Sequence, residues 1–368
     1  MIPVAEPLVT QRDIELVNEA LQSGWISSAG KFLDLFEERW AAYCGMPYGI
    51  AVSNGSVALD VAVALLALAP GDEVIMPSFT IISPAQSVVR AGAVPVLVDS
   101  DPRTWQMDAA QVEARITPRT KAIVVVHIYG HPADMEAIME IARRHGLAVV
   151  EDAAEVHGAE CRGIRCGGIG DISTFSFYAN KLVTTGEGGM VLVRSKEMAE
   201  RARALRNLCF QRERRFLHDE LGYNFRLTNL QAALGVGQIE RMDRIVARKR
   251  EIAARYSELL AGCAGLALPV EEPWAMNVYW VYGMVLDEST GMDAAGLAAR
   301  LKERGIETRP FFLGMHEQPV FLSMGLFAGE SYPVAERLAR QGIYLPSGLT
   351  ITDAEIGTVA AAVRESIS

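Results

Sequence analysis

The chain has 368 residues, half of them hydrophobic and 22% charged. Single cores usually stop growing near ~250–300 residues, so one large unit with a smaller companion is expected, and disorder is excluded as the main state. Asp and Glu number 45 against 35 Lys and Arg, a net charge of −10. That balance excludes a sequence-independent nucleic-acid binder, which needs a basic surplus to neutralise phosphates. The five cysteines are scattered, and Cys161 and Cys166 have no second Cys or His pair at zinc-ribbon spacing. Reduced thiols of a cytoplasmic protein are expected, with no structural metal. Residues Met1 to Pro7 lack a basic region followed by an apolar stretch, so no signal peptide is expected. The apolar run near Val57–Ala69 is broken by Asp60 and reads as a buried helix, not a membrane span.

In chain order, Thr10 caps a first helix with Asp13 at the favoured third position, and Ile14, Val17 and Leu21 line one face before Gly24 ends it. A second helix covers Phe32 to Tyr43. β-rich runs then alternate with helical patterns. Gly49–Ser53 precedes Val57–Leu68, and Glu73–Met76 precedes Ser83–Arg90. Val94–Val98 precedes Ala109–Ile116, Ala122–His127 precedes Met135–His145, and Leu147–Glu151 follows. This rhythm implies an α/β fold, a mostly parallel sheet flanked by helices. Ile172–Phe177 and Gly189–Val193 read as adjacent strands joined by the loop Thr184-Thr185-Gly186-Glu187-Gly188-Gly189. A stretch with seven arginines and three acids spans 201–226, and a helical pattern of about thirty residues starts at Asn229. That helix is expected to bridge a large unit, 1–245, and a small C-terminal α/β unit, 246–368. The small unit has strand Val281–Leu286 and helices Ala294–Arg304, Pro333–Gln341 and one from Asp353.

Of six lysines, five sit in bland contexts, such as Lys249 on a helix surface. Lys181 differs, because it follows a strand and precedes the Gly-rich loop. Asp152 stands at a strand's C-terminal end, where parallel sheets form their ligand crevice. It reads as a helix cap, a metal ligand, or the partner of a protonated pyridine nitrogen in pyridoxal phosphate (PLP), whose ring must stay electron-poor. Ser53-Asn54-Gly55-Ser56 lies between a strand and a helix N-terminus, a place that suits a phosphate or an ordinary turn. Phe79, after the next strand, either covers a flat ring or packs in the core.

These parts in this order resemble the sugar aminotransferases of PLP fold type I, the DegT/DnrJ/EryC/StrS group. The most specific pieces run from Glu151 to Gly158, from Phe175 to Lys181 with the Thr184–Gly189 loop, and from Gly222 to Asn229. The resemblance covers nearly the whole chain and implies a PLP-binding large domain, a small C-terminal domain and transfer of an amino group from glutamate. Lys181 would carry the cofactor as a Schiff base and shuttle the proton, and Asp152 would pair with the pyridine nitrogen. Glu155 would contact the ring hydroxyl, Gly55, Ser56 and Ser176 would hold the phosphate, and Phe79 would stack on the ring. Asn224 would reach the phosphate of the other subunit's cofactor, so a homodimer with shared sites is implied. Arg226, Arg309 and His316 are candidates for substrate anions. For the last two, a helix-end arginine and a surface histidine are the plain alternatives. Lys181 disfavours the branch in which histidine replaces this lysine to give a dehydratase.

Three further segments narrow the resemblance: Val126 to Pro132, Asn277 to Trp280, and Arg309 to Phe312 with Met315-His316. They point to amination of GDP-4-keto-6-deoxymannose at carbon 4. A TDP- or UDP-linked keto sugar, or a non-catalytic regulator on the same fold, are the other readings.

Overall fold

The computed structural model describes every residue except Arg212, Arg215 and Ser368. Two arginines of the 201–226 stretch therefore lie outside the described residues. Seven strands form the main sheet: β1 (Tyr48–Val52), β2 (Glu73–Pro77), β3 (Val94–Val98), β4 (Thr120–Val126), β5 (Ala148–Asp152), β6 (Ile172–Ser176) and β7 (Gly189–Val193). Their order is β1-β7-β6-β5-β4-β2-β3. Only β7 runs against its neighbours; the other pairs are parallel. Strand segments buried on both faces favour apolar residues at every position, which is why β4 reads as a continuous apolar run from Ala122 to Val126. The two parities of that run face different cores. Ile123 and Val125 pack with Ile138 and Ile141 of helix Met135–His145, whereas Val124 and Val126 share a core with Phe36, Trp40 and Val61. The sheet is thus covered on both faces, and the C-terminal ends of β4, β5 and β6 open on one edge.

Two expectations are corrected by packing. The first helix spans Gln11–Gln22, and the Thr10 N–H and Oγ1 donate to Asp13 at 2.7 and 2.9 Å. Its buried face is Asp13, Leu16 and Ala20, while Ile14 and Leu21 point outward, 46% and 50% exposed. The cause is a buried ion pair between Asp13 and Arg241 at 2.7 Å, with Gly237 pressed so close that a Cβ there would meet Asp13 Oδ1 at 2.4 Å. The thirty-residue helix is two, Asn229–Ile239 and Met242–Leu260. The break falls where Arg241 turns inward to Asp13, Thr10 and Leu8 while Glu240 turns outward to Arg12 and Arg39. A shorter revision concerns Ala109–Ile116, which is helical over Ala109–Val112 and then tightens into a 3₁₀ turn, Glu113–Arg115.

The second long helix leaves one core for another. Its Ile245 and Val246 pack with the main-sheet core, and Ile252, Tyr256 and Leu260 pack with Leu297, Ile343 and Val359. Beside it lies an antiparallel sheet in the order Leu266–Ala267, Tyr282–Leu286, Gly342–Leu345, Arg309–Pro310. The first residues of the chain join this unit: Ile2 bridges Ile306, and the Ser347 N–H donates to the Val4 carbonyl at 3.1 Å. No helix among the described residues is long and apolar enough to cross a membrane.

Candidate active site

A cavity of about 700 Å³ opens at the C-terminal ends of β4, β5 and β6. Asp152 closes β5 and is buried, with Oδ1 accepting the Ala154 N–H at 3.1 Å. Burial raises its pKa, against the pull of that N–H and of Lys181. Glu155 sits on the turn that follows. Its Oε2 accepts the Tyr129 N–H at 2.9 Å, and its Oε1 lies 3.6 Å from Lys181 Nζ. Burial lifts the Glu155 pKa to about 7, although Lys181 and the Tyr129 N–H oppose the rise. Lys181 follows β6 on a turn closed by its own N–H to the Tyr178 carbonyl at 2.9 Å. Its side chain is 11% exposed. Burial lowers its pKa, and Glu155 and Asp152 hold it back up. Desolvation favours the neutral, nucleophilic amine, and the two carboxylates oppose it.

The opposite end is built for an anion. Asn54 caps helix Gly55–Leu65 by accepting the Val57 N–H at 3.0 Å, so the first free N–H groups face the cavity. Gly55 lies against β6: a Cβ there would sit 2.7 Å from the Ser176 Cβ. Only glycine lets the backbone approach the Ser176 hydroxyl this closely. Ser56 Oγ is 3.0 Å from Ser83 Oγ, which adds a third hydroxyl to those of Ser56 and Ser176. A carboxylate, a buried lysine and a hydroxyl-lined helix N-terminus along one cavity fit PLP. Asp152 would meet the ring nitrogen, Lys181 the aldehyde carbon, and the Gly55–Ser56–Ser176 cradle the phosphate.

The expected residues are not all brought here. Phe79 is fully buried in an aromatic cluster with Tyr129, Phe311 and Phe312, and it is not part of the cavity wall. The wall beyond the strand is Ile81, two residues on. His316 is not a surface group but 5% exposed, with Nδ1 2.8 Å from Ser78 Oγ and Nε2 3.3 Å from Glu336. The ring nitrogens face one partner on the turn just after β2 and one on helix Pro333–Gln341. Arg309 is exposed and pairs with Glu307 at 2.5 Å; its strand places it opposite Tyr344, which does line the cavity. Asn224 is exposed and Arg226 half-buried, and neither lines this cavity. Arg226 donates to Asn207 Oδ1 at 2.6 Å and lines a separate cavity of about 790 Å³ with Ser28, Arg203 and Arg206.

Residues missed in the sequence complete the wall: Ser83, Phe312, Tyr344 and Trp280. Ser83 carried a signal, a hydroxyl residue opening a helix just before Pro84. The other three come from the small unit, and no local pattern announces where that unit docks.

This fold and site define a PLP-dependent aminotransferase of fold type I. The DegT/DnrJ/EryC1/StrS aminotransferase family matches the chain over residues 7–364, and the chain belongs to that family. It is 42% identical to the GDP-perosamine synthase of Caulobacter vibrioides, over 99% of this chain and 98% of that one. It is 39% identical to the GDP-perosamine synthase of Escherichia coli O157:H7, over 100% and 99%. Among solved structures it resembles the aminotransferase TlmJ from Streptoalloteichus hindustanus, with a TM-score of 0.93 and 33% identity over 100% of this chain and 98% of that one. DesV of S. venezuelae, solved with a ketimine intermediate, gives a TM-score of 0.90 and 37% identity over 97% and 94%.

Proposed function

We propose that this aminotransferase moves the amino group of glutamate to carbon 4 of GDP-4-keto-6-deoxymannose, giving GDP-perosamine, in the cytoplasm. The observation that carries the reading is similarity to GDP-perosamine synthases along the entire chain, together with a buried Lys181 between two carboxylates. PLP, when bound, draws electron density from the reacting carbon into its ring. Asp152 keeps the ring nitrogen protonated. Lys181 Nζ would move the proton at the reacting carbons, and Glu155, 3.6 Å from that amine, would hold it and meet the ring hydroxyl. Gly55, Ser56 and Ser176 anchor the phosphate so that the ring cannot shift during the transfer.

The site also calls for a second copy of the chain. Its charged walls are Asp60, Asp152, Glu155 and Glu187 against Lys181 and Arg90, and Arg90 is already paired with Asp60 at 3.1 Å. A nucleotide diphosphate and glutamate are both anions, and besides the Asn54 and Asn180 amides the described walls offer them one guanidinium, the already paired Arg90. Asn224 and Arg226, exposed and half-buried outside this cavity's lining, would supply a further amide and guanidinium in trans in a homodimer. Arg309, at the edge of the small sheet opposite the cavity-lining Tyr344, is the candidate for the sugar–diphosphate end. A division into a large unit, 1–245, and a small unit, 246–368, is supported by helix Met242–Leu260, which changes cores between Val246 and Ile252, with the first residues of the chain joining the small unit.

The test is product analysis with the holoenzyme, glutamate and GDP-4-keto-6-deoxymannose. GDP-perosamine should form with a higher kcat/KM than the amino sugars made from TDP- or UDP-linked 4-keto sugars. A preference for either of those would move the substrate to a sister enzyme while leaving the aminotransferase intact.

A further inference from the structure

Lys181 Nζ lies 3.6 Å from the centre of the Trp280 ring. The indole is 6% exposed, and its Nε1–H donates to the Asn180 carbonyl, one residue before the lysine, at 2.8 Å. Trp280 is thus bonded to the backbone of the segment whose amine it covers.

Its own backbone is clasped. Gly130, at φ +108, is pressed so tightly against this segment that a Cβ would sit 2.5 Å from the Tyr279 and Trp280 nitrogens. The Val278 N–H donates to the Gly130 carbonyl at 3.0 Å, and the Tyr279 N–H to Asn277 Oδ1 at 2.7 Å. Arg250 holds the Asn277 carbonyl at 2.6 Å. Tyr129 and Tyr279, on either side of the clasp, both have left-handed backbones, at φ 59 and 47. Such conformations persist only where surrounding contacts impose them. The clasp fixes the height of the indole above Lys181.

We infer that Trp280 is a positioning residue for the amino transfer, an uncharged seat for the Lys181 ammonium. The inference rests on Lys181 being the reacting amine. That amine must hold a proton midway through the transfer and then release it. The titratable groups around it are Asp152, Glu155, His157, Tyr344 and Glu187. A further carboxylate would hold the ammonium too firmly, whereas a ring face attracts it through the quadrupole without adding a charge.

The experiment measures the pH dependence of Lys181 acylation in the full-length chain freed of cofactor, read peptide by peptide by mass spectrometry. Exposed Lys196 serves as the internal reference. Trp280→Leu should lower the Lys181 midpoint by roughly 0.5–1 unit, and Trp280→Phe should recover part of that shift. Lys196 should not move. The holoenzyme of Trp280→Leu should lose kcat with little change in KM, and the acid limb of its pH profile should move the same way. Replacing tryptophan throughout with fluoro- and then difluorotryptophan keeps the shape and drains the ring face, so the midpoint should fall stepwise. An unchanged Lys181 midpoint in the fluorinated proteins and in Trp280→Leu would overturn the seat. Turnover by Lys181→Ala would instead overturn the role of Lys181 itself, which separates the two failures.

Discussion

Lys249 sits between Arg248 and Arg250 on a long helix, yet it is only 4% exposed. Its Nζ donates to the Ser347 carbonyl, and burial alone pushes its pKa down to about 7. In the unfolded chain a lysine titrates near ~10.4. Between these values the unfolded state binds more protons than the folded one, so this lysine makes stability rise with pH. Its penalty is greatest below about pH 7. At about 1.4 kcal/mol per pKa unit, the shift corresponds to an upper bound of about 4–5 kcal/mol there, of which about 2–3 kcal/mol is recovered between about pH 6 and 9. Lys249→Met keeps the volume and removes the charge. Losing the bond to Ser347 costs about 1–3 kcal/mol, but that cost does not depend on pH. The assay is urea unfolding of both proteins across this range, at fixed chain concentration and saturating cofactor. The difference between the two curves cancels every other titrating group. The wild type should gain about 2–3 kcal/mol relative to the variant from the acid to the alkaline end. Parallel curves would mean that Lys249 carries its charge in the folded protein at no cost, and the burial argument would fail.

Lys181→Ala should abolish turnover, by more than about a thousandfold, while leaving a folded protein that still binds PLP through the phosphate cradle and Asp152; steady-state assays and cofactor content check both. Asp152→Asn should weaken PLP binding roughly tenfold to a hundredfold, from a charge-assisted hydrogen bond of roughly 1.5–3 kcal/mol, and should slow the rate as well. Normal affinity and rate would remove Asp152 from the ring nitrogen. Mixing Lys181→Ala with Asn224→Ala/Arg226→Ala subunits should restore part of the activity, since one pocket of each mixed dimer then carries neither lesion. No recovery after verified subunit exchange would keep Asn224 and Arg226 within their own chain.

What was legible in the sequence was mostly what the backbone dictates locally. β4 is apolar from Ala122 to Val126 because that part is covered on both faces, so its run could be read directly. The ends of β5 and β6, with Asp152 and Lys181, follow once the sheet is parallel, because its crevice lies at the strand C-termini. Asn54 and Gly55 announce a capped helix by residue type alone. Burial of a charge was not legible. Lys249 has the pattern of a solvated helix face, and only the docking of Ser347 onto that face buries it. Asp13 was read correctly as a cap residue, but its ion pair with Arg241 joins positions 228 apart, beyond any local pattern. The same pair decides which face of the first helix turns inward.

His316 and Phe79 were misplaced for a related reason. Residue type says what a side chain can do, and its partners decide what it does. Histidine suits a substrate anion, but both ring nitrogens of His316 already face protein partners, Ser78 and Glu336. An aromatic after a strand suits a flat cofactor, but in the irregular turn that follows β2 Phe79 packs against Tyr129 and Phe311 and Ile81 lines the wall instead. The functional aromatic came instead from the small unit, a hundred residues past the catalytic loop, where Trp280 bonds to Asn180. A site assembled from both units places its carboxylates and lysine by local strand logic and its covering side chains by docking. The sequence is therefore most informative about the floor of such a site and least informative about its lid.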